Sequence, residues 1–231
     1  MARTTVHESR ARAGPSLRRM FLAFTCLLVL LGTTGCQAVK YRALETMGVE
    51  KRDIMASRVE GARDAQDDAR EQFATALERF RATVEVDGGD LEATYDRLDG
   101  EFQRSMTRAK AVTDRINSVE AVADDLFEEW EEELGLYTDS GLRARSQRIL
   151  EQTRNDYRGM LSAMRRAEGS MQPVLGAFQD QVLFLKHNLN ARAVASLRQE
   201  LAGIERMTRE LLEDMDAAIA QADTFLSSLE G

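Results

Sequence analysis

From Leu91 to Trp130 the chain places Leu91, Tyr95, Leu98, Phe102, Ser105, Ala109, Val112, Ile116, Val119, Ala123, Leu126 and Trp130 at alternating steps of four and three. Only Ser105 in that series is polar, and the residues between are mostly charged or small. A 3.5-residue repeat held this long predicts a helix whose narrow apolar seam lies against other helices. The same rhythm runs upstream through Met55, Val59, Ala62, Gln66, Ala69, Phe73, Ala76 and Phe80. It returns from Leu142 through Tyr157, Met160, Met164, Met171 and Phe178 to Leu189, with successive steps of four ending at Tyr157 and Val182 that loosen the supercoil locally. A last unbroken series links Val194, Leu197, Leu201, Ile204, Thr208, Leu211, Met215, Ala218, Ala222, Phe225 and Leu229. Four helices are therefore expected, at about 50–86, 91–134, 141–188 and 191–229. Their similar lengths suit an all-α, elongated, antiparallel four-helix coiled-coil bundle over residues 50–231.

The breaks in the pattern set the connections. Asp87-Gly88-Gly89-Asp90 is a turn, with glycines that tolerate positive φ and an aspartate able to cap the next helix. Folding back there brings Phe80 beside Leu98, Phe73 beside Phe102 and Ser105, and Val59 beside Val119. Gly135 to Gly141 makes the second connection. The third is expected at Asn188-Leu189-Asn190, with Asn188 left-handed and Asn190 as N-cap; the rival is a break at Pro173, where a kink or short interruption is expected in either case. Gln66 is the one polar residue on the first seam, a device that fixes register at some cost in stability. The second helix outlasts the first, so Phe127, Trp130 and Leu134 need cover, for which Tyr41, Leu44 and Met47 are the candidate lid.

The front of the chain reads differently. Arg3, Arg10, Arg12, Arg18 and Arg19 precede the apolar run Met20–Leu31, which is followed by Gly32-Thr33-Thr34-Gly35-Cys36. A basic start, a short apolar core and small residues match an export signal, and the run falls short of the ~20 residues that span a bilayer. Residues 1–35 are thus expected to be a cleaved signal peptide and 36–49 a lead segment. The small residues before Cys36 resemble the lipobox of bacterial lipoproteins, with Thr33 where Leu is usual, which implies acylation of Cys36; an uncleaved anchor is the alternative. Arg18-Arg19 leaves both the general secretory and the twin-arginine route open. Gln37 after the cysteine implies, by resemblance to sorting rules, the periplasmic face of the outer membrane, with the inner membrane as alternative.

Composition narrows the functions. A net charge of −8 argues against general affinity for nucleic acid or anionic lipid. Losing Cys26 with the signal leaves Cys36 without a disulfide partner, and His187 is then the only histidine, so a structural zinc site has too few ligands. The acidic run Asp124, Asp125, Glu128, Glu129 and Glu131–Glu133 spreads around a helix instead of converging on a cation. No nucleophile elbow, paired CxxC or Walker loop is present. No catalytic residue, metal or cofactor is expected, and the reading is not an enzyme.

Several stretches resemble an uncharacterised lipoprotein family of Gram-negative bacteria catalogued only as a domain of unknown function. They are Gly48–Ile54, Ala62–Gln66, Asp87–Leu91 and, most distinctive, Asp180-Gln181-Val182-Leu183-Phe184-Leu185-Lys186-His187-Asn188-Leu189-Asn190-Ala191-Arg192. The resemblance implies helical character and an envelope location, and transfers no activity. The expected role is a non-enzymatic helical scaffold, spacer or protein-interaction adaptor, attached to the membrane through Cys36, with an envelope protein as partner and oligomeric state open. Lys186, His187, Asn188, Asn190 and Arg192 form the candidate partner-binding tip, against the plainer role of capping helix ends. The alternative is a periplasmic binding or chaperone-like module taking an apolar ligand among Met160, Met164 and Met171; a filled core there would favour the adaptor.

Overall fold

The computed structural model describes residues 51–85, 90–188 and 191–230, excepting the side chains of residues 191–194 and 230. Within them lie four helices: α1 (Lys51–Glu85), α2 (Leu91–Leu134), α3 (Ser140–His187) and α4 (Ala191–Glu230). The expectations for Cys36, for the lead segment with Tyr41, Leu44 and Met47, for the glycines of the first turn and for Asn190 fall outside the described residues.

Each helix packs against two neighbours in the cyclic order α1, α2, α3, α4, which is an antiparallel bundle closed by α1 against α4. Facing charges fix the register. Arg108 pairs with Asp68 at 2.7 Å and Gln72 donates to Glu101 at 2.8 Å between α1 and α2. On the closing side, Arg63 meets Asp223, Arg70 meets Asp216 and Arg81 meets Glu205, each at 2.5–3.1 Å. Apart from the buried Glu101, these groups are largely exposed, and the ion pairs select alignment more than they add stability.

The seams provide the core. Met55, Val59, Phe73, Val112, Ile116, Val119, Met160, Met164, Leu185, Leu211 and Met215 have no exposed surface. Phe80 and Phe178 touch across the diagonal with ring centroids 6.0 Å apart, and Phe80 and Leu98 line one void of only about 10 Å³. That is at the lower limit for a single water, so packing here is close to complete.

Gln66 is also fully buried. Its amide nitrogen donates weakly to the Met164 carbonyl at 3.5 Å, and its Oε1 has no partner. The register of the flanking pairs sets Ala109, Ala218 and Ala222 in the layers beside it, small residues that leave room for the amide. Thr208, equally buried, has an unpartnered hydroxyl as well.

Ends and interruptions follow local chemistry, with two corrections. Asp90 caps α2, its carboxylate accepting from the backbone N–H groups of Glu92 and Ala93, and Asp139 caps α3 through Leu142. Asn188 ends α3, yet with φ −133° it is not left-handed; its N–H bonds the Leu185 carbonyl and its side-chain amide donates to Phe184. Those two bonds satisfy orphan carbonyls of the last turn without a positive φ. Nor is there a break at Pro173, through which α3 continues. The proline ring would crowd the carbonyl of Gly169, a residue with open space around it, and both lie on the exposed side while Met171, Val174 and Leu175 anchor the inner face.

Candidate functional site

The distal end joins α3 to α4 beside the end of α1, where Arg198 donates to the Val84 carbonyl at 2.6 Å. Lys186 and His187 stand exposed on the last turn of α3 and Asn188 is half-buried as its cap. Arg192 belongs to the first turn of α4, its side chain outside the described set. The backbone therefore gathers the Lys186–Arg192 stretch at one end, but Asn188 is spent on capping α3.

Sequence reasoning overlooked Leu183 and Phe184, which are 46% and 40% exposed immediately before that stretch. A signal existed. Val182-Leu183-Phe184-Leu185 is four apolar residues in succession, and one helical seam can bury only the first and last. Val182 and Leu185 are indeed buried. The result is an aromatic and an aliphatic side chain facing solvent beside a lysine and a histidine.

At the opposite, basal end the described parts of the helices reach to different extents. Lys51, the first described residue of α1, pairs with Glu129 at 2.9 Å, so Trp130–Leu134 of α2 lie past it. The first turns of α3 similarly pass the end of α4. Leu142 and Ile149 are 56% and 49% exposed, and Leu136 in the connection is 79% exposed.

Between these helix ends lies an open groove of about 480 Å³ lined by Leu126, Trp130, Ile149, Thr153, Ser228 and Leu229, with Arg52, Glu129 and Glu133 around it. Its polar lining is largely engaged already. Trp130 Nε1 donates to Ser146 at 2.9 Å, Thr153 to the Ile149 carbonyl at 2.9 Å and Ser228 to the Phe225 carbonyl at 2.7 Å. Arg52 donates to the Leu229 carbonyl.

Below the groove's floor, Phe127 meets Tyr157 edge-on at 5.4 Å while Arg154 lies over the Phe127 ring and pairs with Glu131. Burial pushes the Tyr157 phenol well above its ordinary range, and the carboxylates of Glu120 and Asp124 add to that, so it stays protonated at physiological pH.

Among the described residues, no cluster of three His, Cys, Asp or Glu side chains could hold a metal ion, and no helix is long and apolar enough to cross a membrane. Met160, Met164 and Met171 have no exposed surface. The distal patch and the basal groove are where the geometry leaves apolar surface available.

Residues 40–229 match the model of the family described as "Protein of unknown function (DUF2959)", and the chain belongs to that family. No curated protein matches it.

Proposed function

We propose that this family member is a non-enzymatic lipoprotein of the bacterial envelope, acylated at Cys36, whose bundle serves as a rigid adaptor docking an envelope protein at its distal end. The observation that carries the reading is the exposed pair Leu183 and Phe184 beside Lys186 and His187 on the last turns of α3. Partly apolar patches with an aromatic centre and a charged rim are the usual form of protein docking sites. The basic, apolar, small-residue order of residues 1–36 supports the anchor. The close-packed methionine seam favours the adaptor over a ligand carrier with a methionine-lined chamber, since a chamber needs volume that the core does not leave.

The test has two parts. Intact mass of the mature chain should show acyl chains on residue 36, and a bare Cys36 would refute the anchor. A photocrosslinker at Phe184 should trap one discrete protein in intact envelopes. Loss of that adduct on replacing Lys186, His187 and Arg192 together with alanine is the expected result; an adduct unchanged by the substitutions, with unaltered thermal melting, would remove the distal end from the function.

A further inference from the structure

The basal groove is shaped for hydrocarbon. Its walls are the side chains of Leu126, Trp130, Ile149 and Leu229, and the hydroxyls of Thr153 and Ser228 are turned back onto carbonyls of their own helices. A peptide or a sugar laid there would have to give up hydrogen bonds to water and would find few free donors or acceptors in return, at a cost for each unmet group. A hydrocarbon chain asks for none. The open volume, about 480 Å³, falls in the range of small-molecule sites, and one lipid acyl chain is a ligand of that class.

The rim carries both signs of charge. Among the described residues, Arg52 uses its guanidinium on the Leu229 carbonyl and has further N–H groups that suit an anion, and Glu133 forms no ion pair. A phosphate beside Arg52 and an amine beside Glu133 describe a zwitterionic headgroup. On the lipoprotein reading, on which this step rests, bilayer is close at hand. Cys36 precedes Lys51 by fifteen residues, which fully extended at ~3.3–3.6 Å per residue would span at most about 54 Å.

We propose that the groove between the end of α2, the start of α3 and the end of α4 binds one acyl chain of a zwitterionic phospholipid, with the headgroup between Arg52 and Glu133.

Trp130 is the chain's single tryptophan and lies in the groove, so its fluorescence reports occupancy directly. The probe is lysophosphatidylcholine with a dibrominated stearoyl chain, added to the full chain reconstituted in maltoside micelles free of phospholipid. Quenching that saturates at one probe per chain is expected, with dibromostearic acid binding more weakly because it lacks the amine. Ile149→Glu, a change at a half-exposed position, should weaken the probe by about tenfold or more with unchanged helical melting, because it sets a charge against hydrocarbon.

Absence of quenching overturns the proposal, and so does quenching that Ile149→Glu leaves intact, which would mean that the groove's end merely shares a micelle with the probe. A blue-shifted Trp130 that ignores the probe would show the groove covered by the chain itself, and a doubled mass in sedimentation would show a second copy there; either outcome also rejects it. The mass of residue 36, measured before reconstitution, reports separately on the anchor.

Discussion

One sequence rhythm meets two fates in this molecule. In the middle of the bundle the 4-3 positions are sealed, with Val59, Ile116, Met164 and Leu211 wholly buried. At the basal end the same rhythm continues through Trp130 on α2 and through Leu142 and Ile149 on α3, yet Leu142 and Ile149 remain about half exposed. Nothing in the local pattern separates the two regions. Leu150, the neighbour of Ile149, is buried, so α3 turns Leu150 inward and leaves Leu142 and Ile149 on its open side, where Arg52 and Leu229 belong to the outermost described turns of α1 and α4. A seam left without partners of its own kind is surface available for something else.

The sharpest way to break this comparison is to remove one large side chain from each region. Phe73 is fully buried, and Phe73→Ala should cost about 3–5 kcal/mol through lost transfer energy and a residual cavity. Ile149→Ala should cost less than about 1 kcal/mol, as surface changes do. Urea unfolding of the full chain would show a large drop in midpoint for the first and a small one for the second, at unchanged slope. Equal losses would mean that the basal seam is covered after all.

A middle-sized effect separates the two regions by charge. Glu101 is 10% exposed at its side chain, within α2. Burial works to raise its pKa, but hydrogen bonds from Arg104 and Gln72, with the charges of Arg104 and Arg79, outweigh that and hold the carboxyl below its usual range. A depressed folded pKa contributes stability that is complete above the unfolded carboxylate value, about 4.3, and is lost as pH falls through the folded one. Glu101→Ala should therefore cost roughly 0.5–1.5 kcal/mol at neutral pH, since water takes over the largely exposed Arg104, and the wild-type advantage should shrink as the solution is acidified below that range. The acidic basal residue Glu131 is also held low, by its hydrogen bond from Arg154, but its full exposure makes it a poor candidate for any such pH dependence. Paired denaturation curves across the acid range, for Glu101→Ala and Glu131→Ala, check both statements.

Much of the fold was legible because periodicity is a direct image of packing. The repeat through Leu98, Phe102, Ala109, Val112, Ile116 and Val119 named buried positions one by one, and Asp90 announced its cap. Position 173 was harder. A proline ordinarily argues for a break, and only the neighbouring three-dimensional space around Gly169 shows why α3 passes through it. Of the candidate sites, Lys186 and His187 were visible as a polar cluster, whereas Leu183 and Phe184 were hidden inside an apolar run that looks like core. The groove was legible only in outline: the overlong second helix and the need to cover Trp130 could be read, but its volume and the inward-turned hydroxyls of Thr153 and Ser228 belong to the assembled helices.

The smallest expected effect probes the sealed region itself. Gln66 gives one poor hydrogen bond, 3.5 Å to the Met164 carbonyl, and leaves its Oε1 unpartnered among alanines. Replacing both members of a polar contact by apolar groups of similar shape is commonly neutral or stabilising, and here only the weak partner carbonyl, already bonded within its helix, remains behind. Gln66→Met keeps the volume and removes the orphan oxygen, so stability should stay level or rise by up to about 1 kcal/mol, read as urea midpoint. What the amide supplies instead is discrimination, because sliding α1 by one heptad would bury Gln66 against a bulkier layer. The variant should accordingly melt less cooperatively, or show a second α1 register by crosslinking between cysteines placed at Thr75 and Arg108, one heptad out of the native pairing of Asp68 with Arg108, even as its midpoint holds. A fall of more than about 2 kcal/mol with a single register would show that the amide stabilises the core outright, and the account of Gln66 as a register device would be wrong.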